Sequence, residues 1–360
     1  MLQEFRQGVR TWLEQNCPNS MRTAMVEEEE VWGGHQEKFA HPDSRIWLER
    51  MVAKGWTAPE WPKAYGGAGM SPAEAKVWRE ECARIGAKLG MNLVLVDVQQ
   101  DALDKAEAEM TAQGAQVLAR KVDVSNAQAM EQLAADVKAR FGAPHFVFNN
   151  AGVGAGGLVW ENSVADWEWV LGVNLWGVVH GVRLFTPMML EAAAQDAAWQ
   201  GHIVNTASMA GLLNPPNMGV YNVSKHAVVS LSETLYQDLS LVTGQIGASV
   251  LCPYFVPTGI SQSGRNQPQA VADTELTASK KIGQAMLDKA VQSGKVSAQT
   301  VAELVFDAVR DNQFYIYSHP QALSAVETRL KAIVNQTQPP DPFAERPQIG
   351  ENLKQALRGG

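Results

Sequence analysis

The sequence predicts an α/β fold, a doubly wound parallel sheet entered through a small helical segment, and three observations carry the prediction. From residue 92 onward short apolar runs alternate with capped helical segments. The first eighty residues contain no alternating apolar strand. The composition, 46% hydrophobic and 19% charged over 360 residues, is that of a folded chain with a large core, and the length favours two domains or one large domain with an appendage.

In chain order, the leading segment is set apart by tryptophan: six of eleven lie between Trp12 and Trp78, and none follows Trp199. With the run Glu27 to Glu30 and the turn-rich Gly55-Trp56-Thr57-Ala58-Pro59-Glu60-Trp61-Pro62, this segment reads as helices and ordered loops. The glycine cluster Tyr65-Gly66-Gly67-Ala68-Gly69 lacks a preceding strand and reads as a turn into a helix in preference to a phosphate cradle. Ser71-Pro72-Ala73-Glu74 combines an N-cap, a proline at the first helical position and a capping-box glutamate, opening a helix to about Leu89. Strands follow at 93–96, 117–122, 146–148, 203–204, 248–251 and 314–317. Between them, Gly114 stops one helix, Ser125-Asn126-Ala127-Gln128 caps the next, Asn174 lies inside a Trp- and Val-rich helix, and Tyr221 heads a helix continuing through Leu239. Residues 321–360 read as a helix, a break at Pro339-Pro340-Asp341-Pro342 and a terminal helix.

A formal charge of −8 supplies no cation field for a phosphate backbone, which argues against nucleic acid. Cys17, Cys82 and Cys252 lack CxxC spacing and fit reduced thiols, so a cytoplasmic location is expected. No apolar leader and no stretch of ~18 uninterrupted apolar residues is found, so no membrane association is expected. The histidines, at 35, 41, 145, 180, 202, 226 and 319, form no ligand spacing, and no metal is predicted.

Tyr221 and Lys225, spaced i, i+4, rise from one helical face. A phenol near pKa 10 is a poor acid or base at neutral pH, and a neighbouring ammonium favours the phenolate. Ser208 follows the strand at 203–204, at the carboxyl end where open α/β sheets bind ligands. Asp97 ends the first strand, where a carboxylate accepts from a ribose 2′-hydroxyl and repels a 2′-phosphate, so NAD is expected over NADP; the bland alternative is a turn aspartate. Taken singly, Tyr-x-x-x-Lys is commonly a surface pair and a serine after a strand commonly a helix cap.

Together with Asn149-Asn150-Ala151-Gly152-Val153 and Asn174, these residues resemble the short-chain dehydrogenase/reductase family over about 83–320. The resemblance implies a Rossmann-like sheet and NAD-dependent interconversion of a secondary alcohol and a carbonyl. It assigns the acid/base to Tyr221, lowering of its pKa and ribose binding to Lys225, orientation of the reacting oxygen to Ser208 and a proton-relay water to Asn174. It places Asp123, Val124, Asn150, Ala151 and Gly152 beside the adenine side, Val256 and Thr258 over the nicotinamide, and a lid at 260–296. Pro253-Tyr254 stands where the family usually has Pro-Gly. Trp160, Trp167, Trp169 and Trp176 suggest an apolar pocket, although packing or subunit contact is the commoner use of such residues. A homodimer or homotetramer is implied as well.

The first 82 residues, through Phe5-Arg6-Gln7-Gly8-Val9-Arg10-Thr11-Trp12-Leu13 and residues 55–69, resemble the amino-terminal helical part of an acyl-CoA dehydrogenase. Such an enzyme also needs a β-domain, a second helical domain, a flavin and a glutamate, for which this chain has no room. Counting back from Ala83 puts Ala73, Val77 and Arg79 where a short-chain dehydrogenase has its three glycines, so the expected sheet lacks its first strand and phosphate turn. Three functions stand: the dehydrogenase, an impaired fusion remnant that binds NAD weakly or not at all, and an acyl-CoA-associated module.

Overall fold

A computed structural model describes residues 2–22, 41–57, 59, 63, 68–84, 92–112, 115–197, 199–272 and 276–358. It divides into two compact units, one of residues 1–122, 133–143 and 192–199, the other of 123–132, 144–191 and 200–360. Of the sequence features above, Glu27 to Glu30, Tyr65, Gly66 and Gly67, His35, Gly114 and residues 85–89 lie outside the described residues.

In the first unit α1 (Leu2–Asn16), α2 (Pro42–Ala53) and α3 (Pro72–Arg84) share a core of Leu13, Met21, Trp47, Ala75 and Cys82. Trp47, Trp56 and Trp78 belong to this core and Trp12 packs against it, the Trp12 and Trp56 rings meeting edge to face at 4.4 Å. α3 opens on the expected capping box, with Ser71 N–H donating to Glu74 Oε2 at 2.8 Å. Glu81 is 2% exposed and ringed by Arg6, Arg10 and Arg84. The Arg10 hydrogen bond leads in holding its carboxyl at about 2, against the opposing effect of burial. The same unit carries β1 (Asn92–Asp97), α4 (Gln100–Ala112) and β2 (Gln116–Lys121), the strands parallel with Leu93 opposite Val117.

The second unit holds a parallel sheet in the order β3 (Phe146–Asn149), β4 (Gly201–Thr206), β5 (Ile246–Cys252), β6 (Tyr315–Tyr317). Side chains alternate across a strand, and here they sort two helix layers. Val250 and Cys252 pack with Val228 and Val229 of α8 (Gly219–Val242), whereas Leu251 packs with Val305 and Ala308 of α11 (Ala298–Arg310). Helices thus cover both faces, as a doubly wound fold requires. α5 (Ala127–Phe141), α6 (Val164–Leu171), α7 (Gly177–Gln195), α9 (Gln269–Ala272), α10 (Ala278–Gln292), α12 (Leu323–Val334) and α13 (Pro347–Arg358) complete the helices.

Among the described residues the sheet lacks its first strand, as expected, and is in two pieces, β1–β2 and β3–β4–β5–β6; no described strand pairs with the other edge of β1 or β3. Five of the six β1 residues are only half-buried and Phe148 is 38% exposed, whereas β5 is buried at every position but Gly247. Two expectations need correction. The cap of α5 is Asn126, whose Oδ1 accepts from Ala129 N–H, because Ser125 is engaged by Asp123. Asn174 lies not in an α-helix but in a π-turn, Gly172–Trp176, closed by Gly177 N–H to Gly172 C=O.

Candidate active site

The carboxyl ends of β4 and β5 and the first turns of α8 bring several of the sequence-selected residues together. Ser208 follows β4 in an extended conformation and caps the short 3₁₀ turn Met209–Gly211 through Ala210 N–H at 3.1 Å. Its hydroxyl also reaches Pro253 C=O at 3.3 Å. Tyr221 is 8% exposed, and Lys225, one turn on, is 2% exposed with Nζ 5.8 Å from the Tyr221 ring centroid.

Lys225 Nζ donates to Thr206 C=O at 2.8 Å, its only acceptor among the described residues. A buried ammonium with protons left over favours its neutral form, and burial brings Lys225 from 10.5 to about 8, the nearby Cys252 thiol working the other way. The Cys252 thiol is itself pushed up to about 12 by burial. Burial also raises the Tyr221 pKa, with the Ser208 side chain working against it. The ammonium was expected to lower the phenol; desolvation of the phenol prevails.

Asn174 is fully buried and pinned on three sides. Its Oδ1 accepts from Val153 N–H at 2.8 Å, and its Nδ2 donates to Val153 C=O and Ser224 Oγ at 3.0 and 3.1 Å. The π-turn aims this amide at the loop after β3. There a Cβ on Gly152 would lie 3.4 Å from Asn174 Oδ1 and 3.6 Å from Lys225 Nζ. Asn150 Oδ1 accepts from Thr206 Oγ1 at 3.0 Å, tying this loop to β4. Ala151 is exposed between them.

The other nucleotide-side residues are placed as follows. Val256 is buried, and Thr258 caps the 3₁₀ turn Gly259–Asn266. Tyr254 has no left-handed φ and its N–H donates to Ser318 Oγ at 3.0 Å, so this position does not demand glycine. Asp123 Oδ1 accepts Ser125 N–H and O–H, and Val124 lies against Gly177. Asp97 is in the first unit, exposed at the end of β1, one oxygen accepting Gln99 N–H at 2.8 Å. Ala73, Val77 and Arg79 lie within α3, with Val77 buried, so they form no glycine-type turn.

Sequence reasoning missed Ser224 and Thr206. Ser224 stands at i+3 from Tyr221, accepts from Asn174 and donates to Tyr221 C=O at 2.8 Å; its helical spacing was the available signal. Thr206 acts through its backbone carbonyl, which no residue type announces.

The fold is a parallel α/β layer with Ser208, Tyr221 and Lys225 at its strand ends, and the proteins this chain resembles are oxidoreductases. The sequence model of the short chain dehydrogenase family matches residues 80–269, and that of the acyl-CoA dehydrogenase N-terminal domain matches residues 2–104. The chain belongs to the short-chain dehydrogenase/reductase family, which uses nicotinamide cofactors. It is 32% identical over 257 residues to a CLA biosynthesis dehydrogenase/reductase of Lactiplantibacillus plantarum, spanning 70% of this chain and 88% of the relative. It is 30% identical over 270 residues to a C alpha-dehydrogenase of a Sphingobium species, spanning 74% and 86%. Among solved structures, a short chain dehydrogenase/reductase from Burkholderia phymatum in complex with NAD superimposes with a TM-score of 0.68 at 49% identity, covering 73% of this chain and 92% of that one. No helix among the described residues is long and apolar enough to cross a membrane.

Proposed function

We propose that the chain interconverts a secondary alcohol and a carbonyl with NAD, Tyr221 exchanging the proton. The observation that carries this reading is the buried Tyr221 phenol under the influence of the Ser208 side chain, with the Lys225 ammonium beside its ring. Ser208, donating and accepting through one hydroxyl, orients the reacting oxygen toward the phenol. Lys225, with protons to spare, holds the nicotinamide ribose and favours the phenolate once a ligand replaces the lost solvent. Asn174, locked through Val153 and Ser224, positions a relay water. The cofactor, when bound, supplies or takes up hydride. Asn150, Ala151, Gly152, Asp123 and Val124 hold its adenine side, Val256 and Thr258 its nicotinamide, and Asp97 selects NAD over NADP. The domain limits that go with this reading are 1–82, 83–320 and 321–360, in a cytoplasmic homodimer or homotetramer.

The ribose end fits such a cofactor: among the described residues the buried ammonium has one acceptor where it can make three hydrogen bonds, and Gly152 keeps a side chain out of the adjoining space. The phosphate end favours a second reading. Because Ala73, Val77 and Arg79 are spent in α3, the chain is a fusion that binds NAD weakly or not at all. NADH titration of the purified chain separates the two: saturable micromolar binding supports the dehydrogenase, and lack of saturation at millimolar NADH overturns it. The match of residues 2–104 leaves an acyl-CoA-associated module as a third reading, which a thermal shift with millimolar acyl-CoA supports and its absence removes.

A further inference from the structure

Asn217 lies four residues before Tyr221, is 6% exposed, and has φ of 63°. Left-handed backbone is rare outside glycine, and asparagine is among the side chains that tolerate it best. The other non-glycine residues of this kind among the described ones, Asn312 and Gln336, are exposed. Asn217 is thus a strained residue inside the protein, and its polar groups show what it joins.

Its carbonyl accepts Gly157 N–H at 2.9 Å, and its Nδ2 donates to Ser279 C=O, in the first turn of α10, at 3.0 Å. Its Oδ1 is buried and accepts nothing among the described residues, so the Ser279 bond is the side chain's one polar tie. α10 and the loop after β3 approach backbone to backbone at this point. A Cβ on Gly283 would lie 3.0 Å from Gly156 Cα and 3.1 Å from Asn217 Nδ2. Around the junction Ser279 Oγ accepts Leu158 N–H at 3.0 Å and donates to Glu161, and Lys280 Nζ pairs with Asp166 at 2.6 Å with both side chains largely buried.

We infer that Asn217 is a positioning residue that docks α10 onto the entry to the Tyr221 helix and thereby sets how firmly the substrate is held beneath that cover. The inference rests on the reading of Tyr221 as the acid/base and of α10 as the cover of its site. The left-handed turn directs the amide to Ser279 while the same residue's carbonyl holds Gly157, so one position ties cover, loop and catalytic helix. The contact is to a helix that must open for exchange, so its loss shows in substrate binding more than in the chemical step.

Asn217→Gly keeps the left-handed backbone and removes the bond to Ser279. Hydrogen exchange of the amides at 278–286 quickens roughly fivefold to tenfold, the effect of one net hydrogen bond. KM rises by a similar factor, more than kcat falls. Gln336→Gly, at an exposed left-handed position, is the control for added chain freedom and leaves exchange at 278–286 unchanged. Unchanged exchange in Asn217→Gly overturns the inference, as does a loss of kcat with KM unmoved, which assigns the residue to the chemical step. A wild-type chain without turnover overturns the dehydrogenase reading instead, and exchange at 278–286 still decides for or against the docking.

Discussion

Replacing Lys225 by methionine makes the ligand-free protein more stable at neutral pH while abolishing its turnover. Burial lowers the Lys225 pKa from 10.5 to about 8, and each pKa unit is about 1.4 kcal/mol, so the charged form costs ~3 kcal/mol below pH 8. Methionine fills nearly the same space without a charge but leaves Thr206 C=O without its 2.8 Å donor, a loss of ~1–2 kcal/mol. The net gain at pH 7 is then ~1–2 kcal/mol, or about 3–6 °C in melting temperature for a unit of this size. The sign follows from proton counting. Between the folded value of about 8 and the unfolded 10.5 the unfolded chain holds more protons at Lys225, so wild-type stability climbs with pH across that window and the variant's does not. Melting curves of both proteins at several pH values from 6 to 10.5 test this. A lower midpoint for Lys225→Met at pH 7, or a gap that does not narrow by pH 10.5, refutes the reasoning.

Tyr221→Phe removes the phenol and keeps its buried ring; turnover falls ~10²–10⁴-fold with the melting temperature held within a few degrees, and retained activity reassigns the proton exchange. Asp97→Ser at the end of β1 moves cofactor preference toward NADP by about tenfold in a binding titration, and an unmoved ratio leaves Asp97 as the turn residue its bond to Gln99 describes. Asp166→Asn breaks a buried pair with Lys280 and costs ~3 kcal/mol at neutral pH by thermal melting. Burial works to raise the Asp166 pKa, but the Lys280 and Ser163 hydrogen bonds together hold it below 3.8. Its stabilisation is therefore present above that pH and lost as pH falls through the folded value, so wild type and variant converge in acid.

Much of the fold was legible because parallel strands buried on both faces read as continuous apolar runs, and Leu93 to Val96, Ile203-Val204 and 248–251 all lie inside observed strands. Tyr221, Lys225 and Ser208 were legible through helical spacing and the rule that ligands meet strand carboxyl ends. The division into two sheets was visible only as an absence, the missing apolar run ahead of Leu93. What stayed hidden depends on geometry that no residue type encodes. Asn174 looked helical because a single wide turn leaves the surrounding apolar pattern nearly intact. The direction of the Tyr221 shift depends on how completely α8 and the Ser208 turn remove water, which i, i+4 spacing cannot report. Asn126 displaced Ser125 as a cap because Asp123 had already claimed the serine.

The π-turn at Gly172–Trp176 has a bearing on how this chain tolerates length changes. Each residue of an α-helix advances the next by about 100°, and a π-turn holds one residue more than the helices it joins. Deleting one of these five residues would let the turn close as ordinary α-helix, leaving the nineteen residues of α7 in phase with Val178 and Met189 still buried, but withdrawing the Asn174 amide from Val153. The extra residue thus serves the aim of one side chain, and the packing of α7 does not depend on it.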